Sequence, residues 1–470
     1  MRKLVHTATK QQISNIQLIK LKIRDYLHRL EVDRAVFYGL FAKIWSFCAG
    51  PVTAILIATQ FSPEIQGYHY TFASILAFQS AVDLGFGFVV LQFASHEWSE
   101  LNLNKSGQII GDDNALSRLV SIANISMKWY LRASIIVTFI LALGGYLFFS
   151  YSAQIGIRWE IPWVILCILT GINFCLIPVW SLLEGCNQVK KVYTFKFFQG
   201  SIVNISVWVA ILLGANLWTA SISTAAGLIC SIVFLRRQYW SFLNTLLCGI
   251  PSGPLINWRV DMLPMQWRFA VSVFTGLFMT SIFTPLMFKY HGPIIAGQMG
   301  MTLSLISIVG LASAWLSPKS PQFGMLAAQK KYIELDHLFW KLMKIIFALS
   351  VLLGLAIYVF VLILHNLHVP LANRILPPLP TGLFLIAQGF VMFSTPCSMY
   401  MRAHKKEPIM FLNIFGSICT ILLVWKLGKN YSALGMAVGN LLVTLIIVPL
   451  IFLIWYRFRN KWQKEATKPC

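Results

Sequence analysis

The 470-residue chain is 57% hydrophobic and only 11% charged, with a formal net charge of +22. Soluble domains carry about 25% charged residues, so the composition excludes an ordinary soluble enzyme and indicates an all-α polytopic membrane protein. The cations lie in short connections between apolar runs, where topology places them, so the basic balance does not indicate a nucleic-acid partner.

Residues 1–34 contain no apolar core of the signal-peptide kind. Ile13, Ile16, Ile23, Leu27 and Leu30 recur at helical spacing beside Lys20, Lys22, Arg24 and Arg29, which predicts a cytoplasmic amphipathic helix lying on the membrane surface. Apolar runs of spanning length follow at 36–60, 69–94, 131–151, 161–183, 199–217 and 219–235. A second set covers 269–288, 298–317, 343–365, 381–401, 409–427 and 433–456. The expected architecture is therefore about 12 transmembrane helices in two six-helix bundles, 35–236 and 268–456. A cytoplasmic linker, 237–267, would join them, and 457–470 would be a basic cytoplasmic tail.

With the N-terminus inside, cytoplasmic segments hold about 32 of the 38 Lys and Arg and the outer loops about 5. Both termini are then cytoplasmic. Trp98, Trp129, Trp159, Trp218, Trp258, Trp267 and Trp462 fall near span ends and read as an interfacial aromatic belt. Nine cysteines are scattered without metal or redox spacing. No Walker-A loop, GxSxG elbow, HExxH helix or paired-cysteine site occurs, so neither a cofactor, a metal nor catalysis is expected.

The two halves echo each other. "EIQGYHYTFASILAF" follows the first span and "IIAGQMGMTLSLISI" the seventh, with Gly67 and Gly297 in matching places. "KKVYTFKFFQGSI" (190–202) parallels "KKEPIMFLNIFGSI" (405–418) with one gap. Gly50-Pro51 interrupts the first span and Pro285 the seventh; a proline removes a backbone hydrogen bond and kinks a helix. Interruptions at corresponding places in two halves point to a transporter's binding site, here a cleft between bundles related by an axis along the membrane normal.

"SPEIQGYHYTFASILAFQSAVDLGFGFVVLQFASHEW", with "LLEG" (182–185), "PMQWR" (264–268) and "RAHKKEP" (402–408), resembles bacterial polysaccharide-biosynthesis membrane proteins. These are O-antigen-flippase-like members of the superfamily shared with multidrug and toxin extrusion transporters, and the resemblance covers most of 35–456. It implies two bundles around a cavity that opens alternately to each side of the bacterial inner membrane. It also implies flipping of undecaprenyl-diphosphate-linked oligosaccharides for surface polysaccharide synthesis. One departure is that nearly all cations here lie in loops, whereas the family pattern lines the cavity with several.

Lys43 and Asp83 are the clearest ionisable residues inside the spans. From the span limits Lys43 lies about 12 Å and Asp83 about 16 Å from the inner face at 1.5 Å per residue, so adjacent helices can pair them. Paired, they either lock two helices together or face the cavity, Lys43 receiving a diphosphate and Asp83 releasing it or taking a coupling proton. Gln79 shares the Asp83 face, and Asn173, Asn204, Gln388, Asn413 and Asn440 are further amides able to orient sugar hydroxyls or join helices. Arg268 and the Lys190–Lys191 pair can gather a diphosphate or simply set topology.

The expected function is a monomeric flippase for a lipid-linked oligosaccharide, in contact with membrane lipids and using a proton, a sodium ion or the membrane potential. The alternatives are an ion-coupled drug or metabolite exporter of the same superfamily and a membrane-embedded glycan polymerase or ligase. A scarcity of in-span carboxylates disfavours the exporter. The longest outer loop, around 366–380, is small for a sugar-holding loop and disfavours the polymerase.

Overall fold

A computed structural model describes Trp45 and residues 49–83, 85–104, 108–152, 156–249, 253–316, 319–404 and 408–466. The expected surface helix over 1–34, and Lys43, lie outside the described residues. Among those described, eight helices are long and apolar enough to cross a bilayer. The chain is a multi-pass helical membrane protein.

Helix α1 is Ala49–Gln60. The next helix starts six residues before the expected position, because "SPE" is an N-terminal signal. The Ser62 hydroxyl accepts from the Ile65 amide (3.2 Å) and Pro63 occupies the first turn, where no amide is needed. The expected span 69–94 is three pieces: α2 (Pro63–Ala77), α3 (Gln79–Asp83) and α4 (Phe86–Glu97). Gly85 breaks it with φ +67°, a left-handed conformation that glycine adopts without a Cβ penalty.

A short antiparallel hairpin, β1 (Leu101–Leu103) with β2 (Ile109–Gly111), occupies the following connection. Helix α5 (Asp113–Ser152) has 40 residues, about 60 Å, so roughly half of it projects beyond a hydrocarbon layer of about 30 Å. The fourth span divides at Leu176 into α6 (Glu160–Cys175) and α7 (Ile177–Gly185), because Pro178 has no amide to donate to Phe174. Helices α8 (Val189–Leu212) and α9 (Trp218–Cys248) complete the first half.

The second half repeats these irregularities. A π-turn at Trp258–Met262 leads into α10 (Leu263–Ser281) and α11 (Phe283–Ser307). The interruption at Ile282 lies three residues before Pro285, which cannot donate to the Ser281 carbonyl. Gly292, at φ +84°, makes a second break inside α11, and the chain then runs through a 3-10 stretch, Ile308–Trp315. Helices α12 (Ser320–Ala328), α13 (Tyr332–Asn366) and α14 (Pro378–Ala403) follow. Helix α15 (Met410–Ala466) is broken at Tyr431 and Ser432, between the two expected last spans. It remains helical through much of the segment expected as a basic tail.

Two cores organise the packing. One joins both halves, with Phe61, Tyr68, Phe72 and Phe149 beside Met287, Phe288 and Ala296. The other belongs chiefly to the first half: Phe86, Val89, Tyr130, Phe174, Leu182 and Phe242. Trp159 and Trp462 sit inside the first core, each less than 5% exposed, rather than in an interfacial belt. Lipid tails are as apolar as these side chains, so close packing and hydrogen bonds, not water exclusion, favour such contacts within the bilayer.

Candidate functional site

The halves meet along α2 and α11, and the meeting point falls on the sequence echo. "SPEIQG" (62–67) and "GPIIAG" (292–297) are offset by a constant interval, so Pro63 matches Pro293 and Gly67 matches Gly297. These repeat-related segments touch each other. A Cβ on Gly67 would collide with the Pro293 carbonyl oxygen, and one on Gly297 would lie 2.9 Å from the Gly67 nitrogen. Only glycine allows the two backbones so close, which is the small-residue packing used between membrane helices.

Polar groups clasp the same seam. The Gln66 amide donates to the carbonyls of Gly297 and Arg374, each at 3.0 Å. The Arg374 guanidinium donates to the Phe61 carbonyl at 2.6 Å, returning from second half to first. Burial pulls the Arg374 pKa down, and the Glu64 charge opposes that shift. Phe288 of the second half meets Tyr68 edge-on at 4.8 Å and Phe149 at 5.3 Å. The clasp follows the turns at Ser62-Pro63 and Gly292-Pro293 directly, so it lies at the end of the bundle that bears the connections expected outside.

At the other end of the broken second span, α3 and α4 pack against α10. Asp83 ends α3, and its carboxylate accepts from the Tyr130 hydroxyl of α5. A Cβ on Gly87 would come within 3.2 Å of the Tyr130 oxygen, so Gly87 admits the tyrosine. Asp83 is twenty residues past Pro63, about 30 Å along the helix at 1.5 Å per residue, a full hydrocarbon thickness. The carboxylate is turned into the first half, where it ties the broken helix to α5.

Other candidates are dispersed. Gln79 donates to the Thr170 carbonyl of α6 at 3.2 Å. Asn173 on α6 and Asn204 on α8 are half-buried. Arg268 lies on α10, whose backbone adjoins α3 and α4; its side chain is outside the described set. Lys190 and Lys191 are exposed, with Lys191 5.6 Å from the Tyr239 ring centre. Pro51 is exposed near the start of α1, and Pro285 is half-buried in the first turn of α11. Among the described residues no hydrogen bond or ion pair joins Gln79, Asp83, Asn173 and Asn204 to one another, and no cluster suited to a metal occurs.

Sequence reasoning missed Tyr130, Gln66 and Arg374. Arg374 had a signal, as the one cation in the longest outer loop; the other two had none. A double-mutant cycle checks the Tyr130 assignment. Tyr130→Phe and Asp83→Asn are each expected to lower thermal stability in detergent, with a coupling of about 0.5–3 kcal/mol between them. Strictly additive losses would show that the hydroxyl does not hold the carboxylate.

No family model and no curated protein matches the chain. Solved structures do match. An inward-facing multidrug resistance MATE family transporter of the MOP superfamily aligns with TM-score 0.59 and 13% identity, over 89% of this chain and 96% of that one. The lipid II flippase MurJ, in an inward closed conformation, gives TM-score 0.55 and 16% identity over 90% and 89%. A MOP superfamily transporter from Pyrococcus furiosus gives 0.53 and 13% over 93% and 96%. At these identities the likeness concerns the fold: the chain has the helical transporter fold that MOP-superfamily multidrug transporters and the lipid II flippase share, as the sequence resemblance anticipated.

Proposed function

We propose that the protein flips a lipid-linked oligosaccharide, carried on undecaprenyl diphosphate, to the outer leaflet of a bacterial inner membrane by alternating access. In this reading 12 helices form two six-helix bundles, 35–236 and 268–456, with both termini in the cytoplasm. Opening and closing of the seam at Gly67 and Gly297 moves the substrate path from one side to the other. Lys43 and Arg268 are the cations assigned to the diphosphate, with Asn173 and Asn204 as amides for sugar hydroxyls. The protein acts as a monomer.

The observation that carries this reading is the placement of Asp83. It was the clearest carboxylate inside the expected spans, and its oxygen accepts from Tyr130 within the first half. An ion-coupled exporter needs acidic groups that bind and release the ion in its cavity. A lipid flippase needs a seam that opens and a polar path for the headgroup, and one driven by the membrane potential has no such requirement for acids.

Reconstitution tests the proposal. Liposomes carrying a fluorescent oligosaccharide on undecaprenyl diphosphate are expected to exchange it between leaflets only when the protein is present, as read by an impermeant quencher. No exchange, together with efflux of a cationic dye driven by a proton or sodium gradient, would replace the flippase reading with the exporter.

A further inference from the structure

We propose that the corner where α11 reaches Gly292 and α15 breaks at Tyr431 is a binding site for an acidic saccharide. This rests on the flippase reading and adds to it that the glycan carries carboxylate groups. The connections expected outside hold about five of the 38 Lys and Arg. Three of these, Lys289, Lys426 and Lys429, gather at this one corner. The Nζ atoms of Lys289 and Lys429 lie 5.6 and 5.8 Å from the centre of the same ring, that of Tyr290. Lys426 is one turn before Lys429 on α15, on a neighbouring position of the helix surface. All three are exposed, and among the described residues none of them forms an ion pair.

Such a gathering of like charge is unfavourable, and a cation over a half-exposed aromatic face recovers only part of the cost. An anion between the lysines removes the repulsion, and a cluster of one sign raises the local concentration of ligands of the other. The fold holds the corner ready. The Trp425 indole N–H donates to the Tyr290 oxygen at 2.8 Å, and His291 Nε2 lies 2.7 Å from the Gly428 carbonyl oxygen. These two contacts fix α15 against α11, so little ordering of the backbone is left for the ligand to drive.

The aromatic groups select the kind of anion. Trp425 is 47% exposed with its N–H engaged on Tyr290, so what it presents outward is an indole face. A sugar ring can lay its C–H face on that surface while its carboxylate meets the lysines and its hydroxyls meet the Tyr290 hydroxyl. A bare inorganic anion would use the lysines alone. The corner directly precedes the Gly292-Pro293 turn, whose Pro293 meets Gly67, so a glycan that has passed the seam meets these groups at its exit.

The test uses the full chain in phosphatidylcholine nanodiscs, with trigalacturonate and neutral maltotriose as probes and binding followed by saturation-transfer NMR. Trigalacturonate is expected to bind at least about tenfold more tightly than maltotriose. Lys289→Gln with Lys429→Gln is expected to remove that difference, whereas Lys341→Gln with Lys344→Gln, the same charge change at exposed lysines elsewhere, leaves it intact. Trp425→Leu is expected to weaken trigalacturonate and Trp425→Phe, which keeps a ring, to retain it. Equal binding of the two sugars, or equal loss in the control pair, overturns the proposal. Displacement of trigalacturonate by phosphatidylglycerol added to the bilayer overturns it as well, and makes the corner an anionic-lipid site. Liposome exchange of undecaprenyl-diphosphate carriers bearing a uronate or a neutral trisaccharide separates this proposal from the flippase reading. The uronate carrier is expected to exchange faster. Equal exchange of both carriers would strike the acidic-saccharide site and leave the flippase. Selective trigalacturonate binding with exchange of neither carrier would strike the flippase and leave a saccharide site on a protein of another function.

Discussion

Gly67→Ala is expected to hold the outer seam ajar and slow transport severely while leaving the protein abundant. The added methyl would collide with the carbonyl oxygen of Pro293, a backbone atom that cannot rotate away. Overpacking of this kind costs about 1–3 kcal/mol, and the cost falls only on the conformation in which the segments touch. A differential penalty of that size shifts a two-state equilibrium by about 5–150-fold. An impermeant maleimide applied from outside is expected to reach a cysteine placed at Arg374 faster in the Gly67→Ala background. Gly144→Ala is the control, since a Cβ there meets nothing within 4 Å. Wild-type flipping and unchanged labelling in Gly67→Ala would show that this seam does not part during the cycle.

The second large effect is one of stability. Asp336, near the start of α13, collects four donor contacts. Tyr400 donates at 3.0 Å, Arg459 at 2.9 Å and 2.5 Å, and Gln463 at 2.5 Å. The carboxylate in turn raises the Arg459 pKa, chiefly through the hydrogen bond. Trp462 stacks on His404 at 3.7 Å with the rings 2° from parallel, so the end of α15 is pinned by both charge and aromatic contact. Asp336→Ala strands Arg459, whose side chain is only 22% exposed. Breaking a buried pair costs about 3–5 kcal/mol, and residual solvent access places this one near the lower figure. Thermal unfolding is expected to shift down accordingly, and trypsin to cut after Arg457 and Lys461 in the folded protein. Adding Arg459→Met is expected to recover part of the loss, because the double variant leaves no unpaired charge. Protease resistance equal to wild type in Asp336→Ala would mean that the aromatic stack alone holds the helix.

Several irregularities have local signals, of which only Pro285 entered the expected spans as an interruption. Ser62-Pro63-Glu64 states a helix start in three residues, and Gly292-Pro293 marks the corresponding turn in the second half. Pro178 and Pro285 each lack an amide donor, and the chain interrupts its helix just before both. In the hairpin at 101–111 only Leu-Asn-Leu alternates and Ile-Ile-Gly does not, so strands this short between long helices read as plain loop. Gly87 allows close packing against Tyr130, whereas Gly85 supplies a left-handed turn, and composition alone does not distinguish the two uses.

The sequence by itself determined the membrane class, the helical architecture and the internal echo, since hydrophobic run length and repeated turn residues are properties of the local chain. It also determined where the two backbones can approach, because only glycine at 67 and 297 permits it. What those glycines approach was decided by the tertiary structure, which sets them against each other across the two halves instead of against separate neighbours. The same holds for Asp83. Its cost in a bilayer was visible from composition, but its partner was not, since Tyr130 is forty-seven residues away and carries no signal of its own. A carboxylate accepts from any donor that packing brings within reach, and only the folded arrangement of α3 beside α5 selected a tyrosine.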